Sequence, residues 1–462
     1  MSLIKNLLYN LPEVKHPSEK RLSFNVKLKW TIIILVAFFI LANIPLYGIS
    51  AGFLEQFEYL AVILGTDFGS IISLGIGPIV MASIILQLLV GSGILAINTS
   101  TAEGKKTFQG LQKILVYVFV IFEAAVYVLM GGIQALPGYT LIVIFQLILG
   151  GLVIVYMDEV STKWGLSNGT SLFIVAGVAW RLISGLIQFL SPSGANCLAD
   201  FSGTPCGGKI LVLLQSIING APSEALAALA AILVTVIIFL SVVWAQSLKV
   251  EIPLTYEKFR GYSIKWPLQF FYASVIPVIL VAALVANLQL FGGMLQNSLG
   301  HATFLGDFQN GRAVSGLSFW LGNSNILDSL IKGSLQTAQI FQSIIHLLFF
   351  MIFSAVFAVL WVKTSGMDEA GQANKIISSG LQIPGFRKDQ RVLESILKRY
   401  ILPLTIMGGL AIGALSALAN TLGAITSGTA ILLAVMIMYQ IYENIAKTHA
   451  VDMHPALKKM IN

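Results

Sequence analysis

Ten long apolar segments hold almost no charge, and the cations gather in alternate gaps between them. The segments run roughly 30–47, 71–97, 114–131, 139–156, 171–190, 225–246, 268–290, 338–362, 401–422 and 429–446. Most are long enough to cross a hydrocarbon core of about 30 Å at about 1.5 Å per residue. Only Glu123 and Arg181 lie well inside one. Of the 28 Lys and Arg, all but Arg181, Lys209, Arg312 and Lys332 fall in the N-terminal arm, in every second gap, or in the C-terminal tail. Short positive loops stay cytoplasmic, so both termini are expected inside. The pattern predicts an all-α membrane protein with ten transmembrane helices. A chain of 462 residues with 56% hydrophobic and 11% charged residues is no ordinary soluble globule.

The net charge of +7 is spread over these loops and reads first as a topology signal. A second reading is docking to an acidic or RNA-bearing partner, for which 363–400 is best placed. No small-residue cleavage site follows the segment at 30, which reads as a retained first span. Residues 1–29 carry a short amphipathic stretch, Leu3, Ile4, Leu7 and Leu8, suited to the cytoplasmic membrane surface. Cys197 and Cys206 share the external gap 191–224. Two thiols without further ligands make a poor metal site, and their common oxidising side favours a disulfide.

The chain divides into halves of five segments, 30–220 and 221–462, after the cytoplasmic arm 1–29. Five is odd, so the second half enters the membrane inverted. The second segment of each half holds a proline, Pro78 and Pro277, expected to loosen a membrane helix at corresponding places. Residues 53–66 are apolar but too short to span. They carry Phe53, Leu54, Glu55, Phe57, Glu58, Leu60, Val62 and Ile63 and run into glycines, which suits a re-entrant or interfacial helix. Enzyme chemistry finds little support: the five His form no cluster with Glu or Cys, and GIGP lacks the Lys and Ser/Thr of a phosphate loop. No catalytic residue, cofactor or metal is expected. A secondary solute transporter with inverted repeats competes with a pore for a polymer, and periodicity alone does not choose between them.

The tracts LPEV (11–14), LGIGPIVMASIILQLLVGSGI (74–94), FQGLQKIL (108–115), YMDE (156–159), IPVIL (276–280), GFRK (385–388), LKRYILPLT (397–405) and SGTAILL (427–433) together resemble the SecY family, nearest its archaeal and eukaryotic branch. The resemblance covers all ten segments. It implies the large subunit of a protein-conducting channel, in two inverted halves, with SecE/gamma-type and beta-type small subunits as partners. It further implies a passive pore that accepts signal sequences and nascent polypeptides, releases apolar segments into the lipid bilayer, and is driven by a partner such as the ribosome, its only RNA contact. An archaeal chain of this kind would sit in the cell membrane.

By the same resemblance a pore ring would comprise Ile76, Val80, Thr170, Ile174, Ile279 and Leu433, with Thr170 departing from the aliphatic pattern. Residues 53–66 would be the plug. Glu123, Val275 and Pro277 would lie at a lateral gate, Glu123 either acting there or serving as an interhelical hydrogen-bonding group. Lys258, Arg260, Arg387 and Lys388 would be tips that dock the ribosome, or topology signals alone. Arg181, seven residues after Ile174, shares its helix face about 10 Å further out. It either faces Glu55, Glu58 and Asp67 of the plug across a wet vestibule, pairs with Glu123, or snorkels outward.

Overall fold

The structure is a computed structural model that describes residues 11–18, 22–49, 69–91, 93–97, 102–129, 133–189, 191, 196–198, 201, 204–256, 263–309, 312–382 and 389–453. Two compact units share the chain: Met1–Trp180 with Ile437–Asn462, and Arg181–Met436.

The first unit holds α1 (Phe24–Ala42), α2 (Gly77–Gly91), α3 (Ala102–Leu129), α4 (Thr140–Trp164) and most of α5 (Gly169–Ile187). The second continues with α6 (Lys209–Ile218), α7 (Pro222–Ser247), β1 (Lys249–Tyr256), β2 (Ser263–Gln269), α8 (Ile276–Leu299), β3 (Asp307–Gln309) and β4 (Arg312–Ser315). After these come α9 (Leu317–Leu321), α10 (Ile326–Ile331), α11 (Thr337–Thr364), α12 (Glu369–Ser378), β5 (Leu381–Gln382), α13 (Gln390–Thr421) and α14 (Gly428–Met453), whose end returns to the first unit. Every apolar segment is helical over most of its length. Among the described residues nine helices are long and apolar enough to cross a membrane, and α2 is a shorter apolar helix.

The helices outrun the apolar segments wherever polar turns continue them. α3 starts a dozen residues before its segment, and α13 starts at Gln390, where the Asp389 carboxylate accepts from the Arg391 N–H at 3.0 Å. Hydropathy finds only the stretch lipid would cover, whereas the helix ends where its caps lie.

α2 differs in the other direction. Its 15 residues reach only about 22 Å. The preceding residues 71–76 form successive tight turns, closed by Ser73 N–H to Ser70 O, Gly75 N–H to Ile72 O and Gly77 N–H to Leu74 O. Ser73 Oγ accepts from Gly69 N–H and donates to Ser70 O, satisfying the irregular backbone. Such backbone is tolerated at membrane depth only when protein covers it. Ile72, Ser73 and Leu74 are fully buried. Room comes from α4, where a Cβ at Gly150 would fall 1.9 Å from Ile71 O.

Pro78 and Pro277 do not loosen a helix from within, contrary to the expectation above. Each occupies the first turn of its helix, α2 and α8, where the missing N–H has no intrahelical partner to lose. Both segments are therefore interrupted, but by unwound residues ahead of the proline. Among the described residues, Pro403 of α13 lies inside a helix.

The gaps also carry strands, so the chain is mostly rather than wholly helical. β1 pairs antiparallel with β2 from Lys249↔Gln269 to Thr255↔Ser263, and with β5 at Thr255↔Gln382 and Tyr256↔Leu381. Ile252 and Leu254 of β1 turn inward while Glu251 and Pro253 face out, the period of two of a half-covered strand. Their inner face joins Leu268, Ala358 and Val362 of α11, Ile376 of α12, and Leu393, Leu397 and Ile401 of α13 in one core.

Candidate functional site

The expected ring positions all lie at or near helix starts. In the first unit, Ile76 is buried immediately before α2, and Val80, half-buried, is the fourth residue of that helix; the Val80 N–H donates to Ile76 O at 3.0 Å. Thr170 and Ile174 occupy the first two turns of α5, Ile174 buried and Thr170 half-buried. In the second unit, Ile279 is in the first turn of α8 and Leu433, buried, is the sixth residue of α14.

Each start is held by neighbours. Ahead of α8, Ser274 takes a left-handed φ of 60°, which costs a non-glycine residue about 1–3 kcal/mol and is kept only where surroundings impose it. The buried Val275 then serves as N-cap, its carbonyl accepting from Val278 and Ile279. Ahead of α14, Asn420 Oδ1 accepts from Gly428 N–H at 2.7 Å, and Ser427 Oγ receives Ala430 N–H at 3.4 Å. At α5 the anchor is Asp158 of α4, whose Oδ1 accepts from the Thr170 N–H at 2.6 Å and the Thr170 Oγ–H at 2.9 Å. The Thr170 hydroxyl is therefore committed to a carboxylate.

Glu123 sits on α3, and its Oε2 is enclosed with no hydrogen-bond partner among the described residues. Arg181 is half-buried on α5, where its carbonyl accepts from Ser184 Oγ at 3.2 Å. The plug run 53–66 and Asp67 lie outside the described residues, as do Leu3, Ile4, Leu7 and Leu8. So do the basic tips Lys258, Arg260, Arg387 and Lys388, but their roots are described. Residues 257–262 follow β1 and residues 383–388 follow β5, and those two strands are paired at Tyr256↔Leu381 and Thr255↔Gln382 in one sheet. Outside the spans, Cys197 and Cys206 form a disulfide with a Cα–Cα distance of 5.2 Å, and Gln215 of α6 holds that loop through Cys206 N–H and the carbonyls of Phe201 and Thr204.

One constellation escaped the sequence reading although its parts were singled out. Residues 12–15 lie as a strap on the first half of α3 and the C-terminal end of α4. Lys113 of α3, with a side chain only 9% exposed, binds Pro12 O and Glu159 Oε1. Glu159 Oε2 accepts from Val14 N–H at 3.0 Å. Lys163 donates to Val14 O at 2.7 Å and pairs with Glu13 at 3.2 Å, while Trp164 Nε1 donates to Lys15 O at 3.1 Å. The Lys163 hydrogen bond holds the Glu13 carboxyl below the usual carboxylate range. LPEV, FQGLQKIL and YMDE thus meet in one knot. The signal in the sequence was the lone Lys and the adjacent acids at the ends of apolar segments; their partners, 46 and 145 positions apart, were not readable.

Comparison with known proteins follows the same lines. A SecY family model matches residues 70–442, and a model of the plug domain of Sec61p matches 36–69, which takes in the end of α1 as well as 53–66. The chain is 42% identical over 456 residues to the protein translocase subunit SecY of Methanothermobacter thermautotrophicus, covering 98% of this chain and 96% of that one. The corresponding subunit of Methanocaldococcus jannaschii is 38% identical, with 99% and 98% covered. Among solved structures, a protein-conducting channel superposes with a TM-score of 0.78 at 37% identity, covering 97% of this chain and 98% of that one. Sec61 in the canine ribosome–channel complex from the endoplasmic reticulum gives 0.76 at 36%, with the same coverage.

Proposed function

The chain belongs to the SecY family, and from that premise we propose how it works as the pore-forming subunit of a protein translocase. It is a multi-pass membrane protein and a channel for polypeptides, and the full-length likeness to a solved protein-conducting channel carries that reading. The pore is passive and does no covalent chemistry.

The finer assignments are our own reading. Ile76, Val80, Thr170, Ile174, Ile279 and Leu433 form the constriction. Aliphatic side chains close around any peptide without hydrogen-bonding to it, and they exclude water and ions when no chain is present. Residues within 53–66 plug it, and Glu123, Val275 and Pro277 border the seam through which apolar segments reach lipid. Buried Val275 offers no polar contact at that seam, so opening is controlled by packing there. Both termini and the loops 247–267 and 363–400 are cytoplasmic, in the cell membrane. The basic tips Lys258, Arg260, Arg387 and Lys388 dock a ribosome, which supplies the driving force, and the adjoining roots of their loops support a shared contact surface. SecE/gamma-type and beta-type subunits complete the complex. The halves 30–220 and 221–462 open as two leaves.

The test uses the complex in vesicles. Ile76→Ser or Ile279→Ser is expected to raise ion leak and to admit precursors with defective signals. Unchanged leak in both would place the constriction elsewhere. Saturable uptake of a small solute would favour the secondary transporter instead.

A further inference from the structure

Asp158 and Glu159 are neighbours at the end of α4 and hold different things. Glu159 takes the strap and Lys113; Asp158 takes the start of α5. We propose that Asp158 is a positioning residue of the channel, setting the rotation and height of the pore-lining face of α5 through Thr170. This rests on the reading of Thr170 and Ile174 as part of the constriction.

The first N–H groups of a helix have no partner within it. α5 opens at Gly169 after Asn168, whose side-chain oxygen accepts from Ser167 Oγ at 3.2 Å. The partner for Thr170 N–H comes instead from the neighbouring helix, and a carboxylate there also meets the positive end of the α5 dipole. One oxygen, Asp158 Oδ1, receives both the backbone and the side chain of Thr170, which constrains distance and direction together. The approach depends on a glycine: a Cβ at 169 would sit 2.5 Å from Asp158 Cα and 2.9 Å from its Oδ1.

The turn between the helices is pinned as well. The fully buried Ser161 donates to Ser167 O at 2.8 Å, and Leu166 N–H donates to Thr31 Oγ1 of α1 at 3.1 Å. α5 therefore cannot slip along or turn about its axis without breaking the Asp158 pair. A slip of one residue turns a helix face by about 100°, enough to carry Ile174 off the pore. The single hydroxyl in an otherwise aliphatic ring is, on this view, its attachment to the scaffold, which accounts for a threonine at this position.

The experiment uses the whole complex in lipid vesicles, reading ion leak and passage of a precursor with a defective signal. Complex yield and thermal midpoint are followed in parallel. Asp158→Ala is expected to raise leak on the order of ten-fold, as loss of a charge-assisted pair would. Thr170→Val, which keeps the N–H bond, is expected to raise it a few-fold. The double variant is expected to leak no more than Asp158→Ala, because both changes remove one interaction. Asp158→Asn, which keeps an acceptor oxygen, is expected to restore most of the seal. Should Asp158→Ala fail to assemble, Thr170→Ser decides: it keeps both bonds to Asp158 and is expected to stay tight where Thr170→Val leaks, and a Thr170→Ser channel as leaky as Thr170→Val overturns the proposal. Multiplying effects would mean Asp158 does not act through Thr170, and the proposal falls. A tight Asp158→Ala channel beside a leaking Ile174→Ser channel overturns the proposal and leaves the constriction intact. Tight channels in both overturn the ring reading beneath it.

Discussion

Gly413→Ala tests how closely α11 and α13 must approach. A Cβ at 413 would lie 2.4 Å from Phe350 O, 2.8 Å from Phe350 C and 2.9 Å from Met351 Cα, all backbone atoms. One turn earlier, a Cβ at Gly409 would lie 2.8 Å from Ala355 Cα. Small residues at this spacing let membrane helices pack backbone to backbone. Phe350 is fully buried and packs on His346 at 4.5 Å between ring centroids, so it has nowhere to retreat. Restoring ordinary contact needs about 1 Å of separation, and a gap of that size forfeits a quarter to a half of each dispersion well it touches. Overpacking costs about 1–3 kcal/mol, and the better helix propensity of alanine returns about 1 kcal/mol. A net loss of up to about 2 kcal/mol is expected. Gly293→Ala in α8 is the control: nothing lies within 4 Å of its Cβ, so it keeps the propensity gain alone. Thermal melts of the purified complex are expected to move in opposite directions for the two variants. A Gly413→Ala melt at or above wild type would refute the close-packing argument.

The knot at the strap predicts that Lys113→Met strands Glu159 and lowers stability by about 2–3 kcal/mol, below the usual cost for a buried pair because Glu159 keeps its Val14 bond; an unshifted melt would refute it. Because Lys163 depresses the Glu13 carboxyl, the Glu13 contribution is complete above the ordinary Glu range near about 4.3 and is lost as pH falls through the lower folded value. Limited proteolysis of the N-terminal arm is therefore expected to speed up in acid, and Glu13→Gln to cut at the faster rate already at neutral pH; identical profiles for the two would remove Glu13 from the account. Arg387→Glu with Lys388→Glu is expected to weaken ribosome binding, most at low salt, and normal affinity would leave both as topology signals. Arg181→Glu is expected to open the plug more often than Arg181→Ala, measured by cross-linking across the channel. Equal effects would rule out attraction to Glu55, Glu58 and Asp67.

Hydropathy made the spans legible because lipid imposes the same demand on each: a long apolar run with its own backbone satisfied. What it could not show was where helices begin. Pro78 and Pro277 read as loosened points within helices because both lie inside apolar runs, yet the turns at 71–76 and the left-handed Ser274 precede them. β1 was legible in principle, since Ile252 and Leu254 alternate with outward residues, but charge dominated the reading of that gap. Thr170 was readable as a departure from an aliphatic pattern. The reason for it lies on Asp158, twelve positions away across a turn, where no single-helix periodicity reaches. The strap was invisible because Glu159 and Val14 are 145 residues apart and each looks like an ordinary charged or apolar loop residue alone.

The hairpin β1–β2 is a ribbon backed by helices. Seven paired positions give an arm of roughly 20 Å, and such a ribbon alone in water would barely hold together. Here Ile252, Leu254 and Leu268 set its inner face, from near the base to near the tip, in the same apolar mass as Leu397 and Ile401 of α13 and Val362 of α11. Close-packed interiors are nearly incompressible and transmit strain. A load applied to the far end of the ribbon therefore passes through its packed inner face to two membrane helices instead of dissipating as bending. Anything that pushes on the end of that ribbon has a mechanical grip on the second unit through a part of the chain that is not one of the apolar helices.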